Sequence, residues 1–176
     1  MSEKIEEAIK TIISYIGDDP SRLDLVATPK NVVSYLKRMF CGYDYDFSQV
    51  ESSLMENNGY EQIISMDQIP FTSFCEHHML PFSGMIKISY VPYRKIIGLG
   101  KLVKIVEAFS RKLQIQERLN TQIAEYINGL LEPKGVGVFI QASHSCIYMR
   151  NDLNAKDNIV KTSYLIGCLK ENLKID

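Results

Sequence analysis

The chain has 176 residues, a length that suits one domain of ordinary size. It is 45% hydrophobic and 23% charged with a formal net charge of -1, so no global field draws it to nucleic acid or to an anionic membrane, and no apolar run is long enough to cross a bilayer. Four cysteines are too sparse for a disulfide scaffold. Together with a start, Met1-Ser2-Glu3-Lys4, that is unlike a signal peptide, they point to a reducing cytoplasm with buried or metal-binding thiols.

Ile5, Ile9, Ile12, Ile13 and Ile16 recur at helical spacing and predict a helix over residues 3–16, stopped by Gly17-Asp18-Asp19-Pro20. Arg22 follows in a loop, where simple solvent exposure is one reading. Thr28 as N-cap and Pro29 in the first turn open a second helix, whose stripe is Val32, Val33, Leu36, Met39 and Phe40. Residues 43–60 read as loop or short helix. Tyr60–Ile69 is strand-like, and Met85–Tyr93 alternates Ile86, Ile88 and Tyr90 against Lys87 and Ser89. Ile97-Gly98-Leu99-Gly100 turns into a helix with Leu102, Ile105, Val106 and Phe109 inward. Lys101 and Lys104, three apart, share one side of it. Gln114–Leu131 predicts a longer helix broken by Pro133 and Gly135. Val136–Ser143 reads as a strand, His144–Arg150 as another or its continuation, and Ile159–Leu165 as a strand or closing arm. The order of elements predicts an α+β domain: an antiparallel β-sheet with helices on one face, preceded by N-terminal helices. So small a sheet leaves open edges, which makes homo-oligomerisation the expected remedy.

The chemistry concentrates in two stretches, Cys75-Glu76-His77-His78 and His144-Ser145-Cys146, which hold every histidine of the chain. Cys75 and His78 have a spacing at which one turn directs both side chains to one ion, and Cys146 can join from a distant strand. Two thiolates and an imidazole suit zinc. Three ligands leave a position open for water, whereas a fourth from His77 or His144 would close the site. The competing reading makes the cysteines small buried hydrophobes and the histidines packed polar residues. Cys41 and Cys168 have no histidine beside them and read as structural. An unligated His77 or His144 could move protons. Lys101, Lys104 and Arg150 are candidates for phosphate contacts or ordinary solvated charge. Glu117 could accept a pair of purine N–H groups, or be a carboxylate favoured at a helix start.

In order along the chain, Asp19-Pro20-x-Arg22, Thr28-Pro29, Cys75-Glu76-His77-His78, Ile97-Gly98-Leu99-x-Lys101, Gln116-Glu117-Arg118-Leu119, His144-x-Cys146, Arg150 and Thr162-Ser163 resemble the GTP cyclohydrolase I family over roughly residues 5–167. The resemblance implies a tunnelling fold over residues 59–176 behind an N-terminal helical region, 1–58, with the barrel formed by oligomerisation. It implies a decamer of two stacked pentamers, and conversion of GTP and water to 7,8-dihydroneopterin triphosphate and formate. Carried over, Cys75, His78 and Cys146 hold Zn2+, and His144 transfers a proton at N7 while His77 assists at the ring or ribose. Glu117 grips the guanine edge with Gln116 beside it, and Lys101, Lys104, Arg150 and Arg22 from a neighbour meet the triphosphate. No long N-terminal extension precedes the first helix, so control through such a tail is not expected.

Three positions and one run depart from the family pattern: Lys104 stands for an arginine, Asn151 for a glycine and Gly100 for a common serine, and Asp152-Leu153-Asn154-Ala155-Lys156-Asp157 is atypical. Two other readings are an enzyme of the same fold with altered purine or pterin specificity, and a non-catalytic zinc-stabilised assembly domain. Formate release separates the first, and the second has no need of Glu117 together with His77 and His144.

Overall fold

The computed structural model describes residues 2–149 and 158–172. The chain divides into two compact units between Cys41 and Gly42. In the first unit, helices α1 (Ser2–Tyr15) and α2 (Thr28–Met39) pack on each other. Of the isoleucine stripe on α1 only Ile13 is buried, while Ile12 and Ile16 remain exposed. The start of α2 corrects one expectation. Thr28 is itself helical, Ala27 takes the N-cap position, and no side chain caps the helix. The Thr28 N–H already bonds the Leu25 carbonyl at 2.9 Å in the preceding turn. Pro29 sits in the first turn, where its missing N–H leaves no helical bond unmade.

After a 3-10 turn at Cys41–Asp44, the second unit has a short helix, α3 (Ser48–Glu51), and strand β1 (Leu54–Glu56). Then come β2 (Ile64–Cys75), β3 (Pro81–Val91), β4 (Lys95–Ile97), helix α4 (Leu99–Ser110), β5 (Leu113–Gln114) and helix α5 (Gln116–Leu131). Strand β6 (Gly135–His144), helix α6 (Ser145–Tyr148), β7 (Val160–Gly167) and α7 (Cys168–Asn172) complete the described part. Strands β1 and β4 form a small antiparallel pair, and the main sheet has the order β5-β2-β3-β6-β7. Its long neighbours are antiparallel, while β5 joins β2 in parallel through Phe74 and Cys75.

The core follows from two periodicities. On β3, Phe82, Ile86, Ile88 and Tyr90 are buried and Ser83, Met85 and Lys87 exposed, the alternation of a strand covered on one face. On α5, Leu119, Ile123, Ile127 and Leu131 recur at helical spacing and are fully buried. Helix α4 packs on β2, and α5 on β6 and β7. Each buried Leu or Ile contributes about 1.5–3 kcal/mol relative to an exposed one.

Several boundaries differ from those expected. Strand β2 starts four residues later than predicted and runs on to Cys75. Its register against β3 shifts between Met66 and Ile69, where Gln68 has φ 58°. That bulge lies two residues before Pro70, which is how a strand accommodates a proline. Residues 145–148 form a helical turn instead of continuing the strand. The long helix starts at Gln116, since Leu113 and Gln114 pair with β2.

Gly84 brings β3 and β6 unusually close. A Cβ there would lie 1.9 Å from the Gln141 carbonyl oxygen and 2.7 Å from the Ala142 Cα. Gly84→Ala is therefore expected to lower stability by about 1–3 kcal/mol, as overpacking does, and a thermal melt reads it. An unchanged melting temperature would mean that the two strands separate freely.

Candidate metal centre

Strand β2 ends on Cys75, and the chain turns back into β3 within five residues. The Cys75 N–H donates to the Leu80 carbonyl at 2.8 Å, and the Cys75 carbonyl accepts from His78 and Met79 at 3.3 and 2.8 Å. Met79 closes the turn in the left-handed region at φ 55°. Glu76 braces it from outside. Its N–H donates to the Gln114 carbonyl, and its carboxylate takes a charged hydrogen bond from Arg118, which holds the carboxyl below its ordinary range. Arg118 also donates through Nε to Gln114 Oε1 at 3.0 Å, so β5 and the start of α5 are tied to the turn. Nothing in the sequence assigned Arg118 a part beyond its place in a motif. The i, i+4 spacing from Gln114 on a helix start was the available signal.

Beside this turn the register pairs Phe82 of β3 with His144, the last residue of β6. Cys146 follows in α6. Cys75, His78 and Cys146 thus meet, with one ligand atom from each and all of these atoms within 4.8 Å of one another. Cys75 is buried, and all four cysteines of the chain are thiols. The donor set fits zinc in geometry as well as in chemistry. Zinc–sulfur and zinc–nitrogen bonds of about 2.3 and 2.0–2.1 Å at a tetrahedral angle set sulfur and nitrogen about 3.6 Å apart. Cys75 Sγ and His78 Nδ1 are 3.6 Å apart. His77 Nδ1 lies 3.7 Å from the same sulfur, but His77 is 64% exposed and is not in the three-residue group.

His144 is also outside that group. Its ring stacks on Phe82 at 4.7 Å with an interplanar angle of 2°, and its Nε2 is 2.8 Å from Gln116 Oε1. Burial pushes the imidazole below its ordinary pKa, against an opposing pull from the Glu117 carboxylate. Glu117 itself is exposed in the first turn of α5, whereas Gln116 is buried. On α4, Lys101 Nζ donates to the Gln49 carbonyl at 3.0 Å, and Lys104 forms an ion pair with Glu107 at 2.9 Å. In the first unit, Arg22 forks onto Asp18 through Nε and a terminal nitrogen, each at 2.9 Å, and reaches Asp24 at 3.4 Å. Arg150 and Asn151 lie outside the described residues.

A mixed sheet backed by two helices, with two thiols and an imidazole gathered at one end of its central hairpin, defines a zinc enzyme of the tunnelling fold. One solved structure, an archaeosine synthase QueF-Like in the apo form, shares this fold at a TM-score of 0.50 and 14% identity, covering 60% of this chain and 93% of that one. The family model described as GTP cyclohydrolase I matches residues 5–176. Proteins named GTP cyclohydrolase 1 from Rickettsia typhi, Pelagibacter ubique and Wolinella succinogenes are 41%, 39% and 38% identical. These matches cover 98%, 98% and 97% of this chain and 90%, 86% and 90% of the relatives. The chain belongs to the GTP cyclohydrolase I family.

Proposed function

We propose that this chain hydrolytically opens the guanine imidazole ring of GTP at C8, releases formate and closes the remainder to 7,8-dihydroneopterin triphosphate. The observation that carries this reading is the Cys75, His78 and Cys146 cluster in a chain of this family. These three residues would hold a zinc ion, and three protein ligands would leave room for water beside it. When bound, zinc supplies a Lewis acid that activates water near neutral pH.

The chain's own groups do the rest. His144 gives a proton to guanine N7 and is left as the neutral imidazole, the form that its burial favours, and the protonated N7 makes C8 more electrophilic. His77, exposed at the rim, assists at the ring or ribose. Glu117 accepts the N–H pair on the guanine edge with both carboxylate oxygens. Lys101, Lys104, Arg150 and a neighbour's Arg22 neutralise the triphosphate. Contacts drawn from more than one subunit make activity depend on assembly, here a decamer of two stacked pentamers. We place the enzyme in the cytoplasm, where its thiols stay reduced; among the described residues no helix is long and apolar enough to cross a membrane.

GTP carrying an isotope at C8 tests the reaction. Zinc-loaded protein is expected to deliver the label to formate, and chelated protein to deliver none until zinc is restored. Label retained in the purine with zinc present would refute the reading. The phosphate contacts have their own test. A guanidinium grips phosphate with two donors where an ammonium is a point charge, so Lys104→Arg is expected to lower the KM for GTP a few-fold. A raised KM would mean that the pocket is shaped around lysine.

A further inference from the structure

Gln116 is 2% exposed, and both ends of its amide are engaged inside the chain. Its Nε2 faces three oxygens: the Ile140 carbonyl at 3.3 Å, the Val160 carbonyl at 3.1 Å and Thr162 Oγ1 at 3.1 Å. Carbonyls only accept, so the amide nitrogen belongs on that side; the flipped amide would set oxygen against oxygen. Oε1 therefore faces the other way, 2.8 Å from His144 Nε2. An amide oxygen only accepts, so the imidazole carries its proton on Nε2 and donates it to Gln116. In the neutral ring Nδ1 then keeps the lone pair.

The rest of the surroundings hold this arrangement in place. Stacking on Phe82 fixes the plane of the His144 ring. Asn120, one turn along α5 and 1% exposed, donates through Nδ2 to the same Thr162 Oγ1 at 3.0 Å. The buried Gln116 and Asn120 and the half-buried Thr162 thus form a polar cluster that joins α5 to β7 and ends on the imidazole. Asn120 Oδ1 has no partner among the described residues, so the arrangement is set by the amide nitrogens of Gln116 and Asn120 on Thr162 and by the two carbonyls that Gln116 meets.

We propose that Gln116, braced by Thr162 and Asn120, is a positioning residue that fixes His144 as the Nε2–H tautomer, so that Nδ1 is the atom that exchanges a proton with the substrate. The functional half of this statement rests on the activity proposed above. The tautomer does not, and the two are read separately.

The test is nitrogen-15 spectroscopy of zinc-loaded, histidine-labelled protein, with His144→Asn to assign the signals. In the neutral ring, wild-type His144 is expected to show a protonated Nε2 and an unprotonated Nδ1. Gln116→Leu is expected to give a mixture of tautomers, with kcat reduced about a hundredfold, KM little changed and zinc retained. A proton on Nδ1 in the wild type overturns the proposal, and so does Gln116→Leu with the wild-type tautomer and kcat. If Gln116→Leu does not fold, the wild-type spectrum decides alone. A wild type that shows the Nε2–H signal and yet releases no formate would refute the proposed reaction and leave the tautomer assignment standing.

Discussion

Cys146→Ala is expected to lose stoichiometric zinc and, with it, formate release from GTP. Cys146 supplies one of three ligand atoms that lie within 4.8 Å of one another, and it comes from a segment seventy residues away from the other two. Without it, Cys75 and His78 remain on a single turn, and two ligands cannot complete a tetrahedral site. The fold should survive the change. The core is built by α4, α5 and the sheet, and the substitution removes one partly buried sulfur from its margin. Metal analysis beside circular dichroism separates the two effects. A folded, zinc-free variant that kept full turnover would remove the cluster from the reaction.

The second large effect is expected at Glu117. Its exposed carboxylate sits in the first turn of α5, close enough to His144 to act on its pKa. Two hydrogen bonds from guanine N–H groups to a carboxylate contribute roughly 1.5–3 kcal/mol each. Glu117→Ala should therefore lower kcat/KM for GTP about a hundredfold or more. Zinc content should not change, because Glu117 is not in the ligand group. Steady-state kinetics and metal analysis on one preparation check both halves. Undiminished kcat/KM would take Glu117 out of the guanine pocket.

The metal cluster was legible in the sequence because thiol and imidazole chemistry is carried by residue type, and a Cys-x-x-His turn brings its two groups together locally. The meeting with Cys146 depended on a sheet register that pairs Phe82 with His144, which only the assembled hairpin and β6 provide. The helices were legible for a similar reason, since Leu119, Ile123 and Ile127 mark α5 by spacing alone. Short elements were not. Strands β1, β4 and β5 span two or three residues each, too few to show a period. Pro70 hid the true length of β2, because a bulge that admits a proline is a property of the paired strand.

Gln116 is the instructive case. Its place beside Glu117 suggested a shared role at the guanine edge. On a helix, however, adjacent residues point about 100° apart. Gln116 falls in line with Leu119, Asn120 and Ile123, the buried stripe, while Glu117 turns outward. The periodicity that located the core of α5 thus also separated the two side chains, and the partners of Gln116 on β6 and β7 became visible only with the sheet in place.

The central claim is that the zinc cluster of this chain opens and rebuilds the purine of GTP. The most direct measurement follows formate and the fluorescent oxidised pterin together, in an anaerobic reaction of zinc-loaded protein with GTP. Equal amounts of the two products are the predicted result. A folded protein with its full complement of zinc that yields neither product would contradict the account.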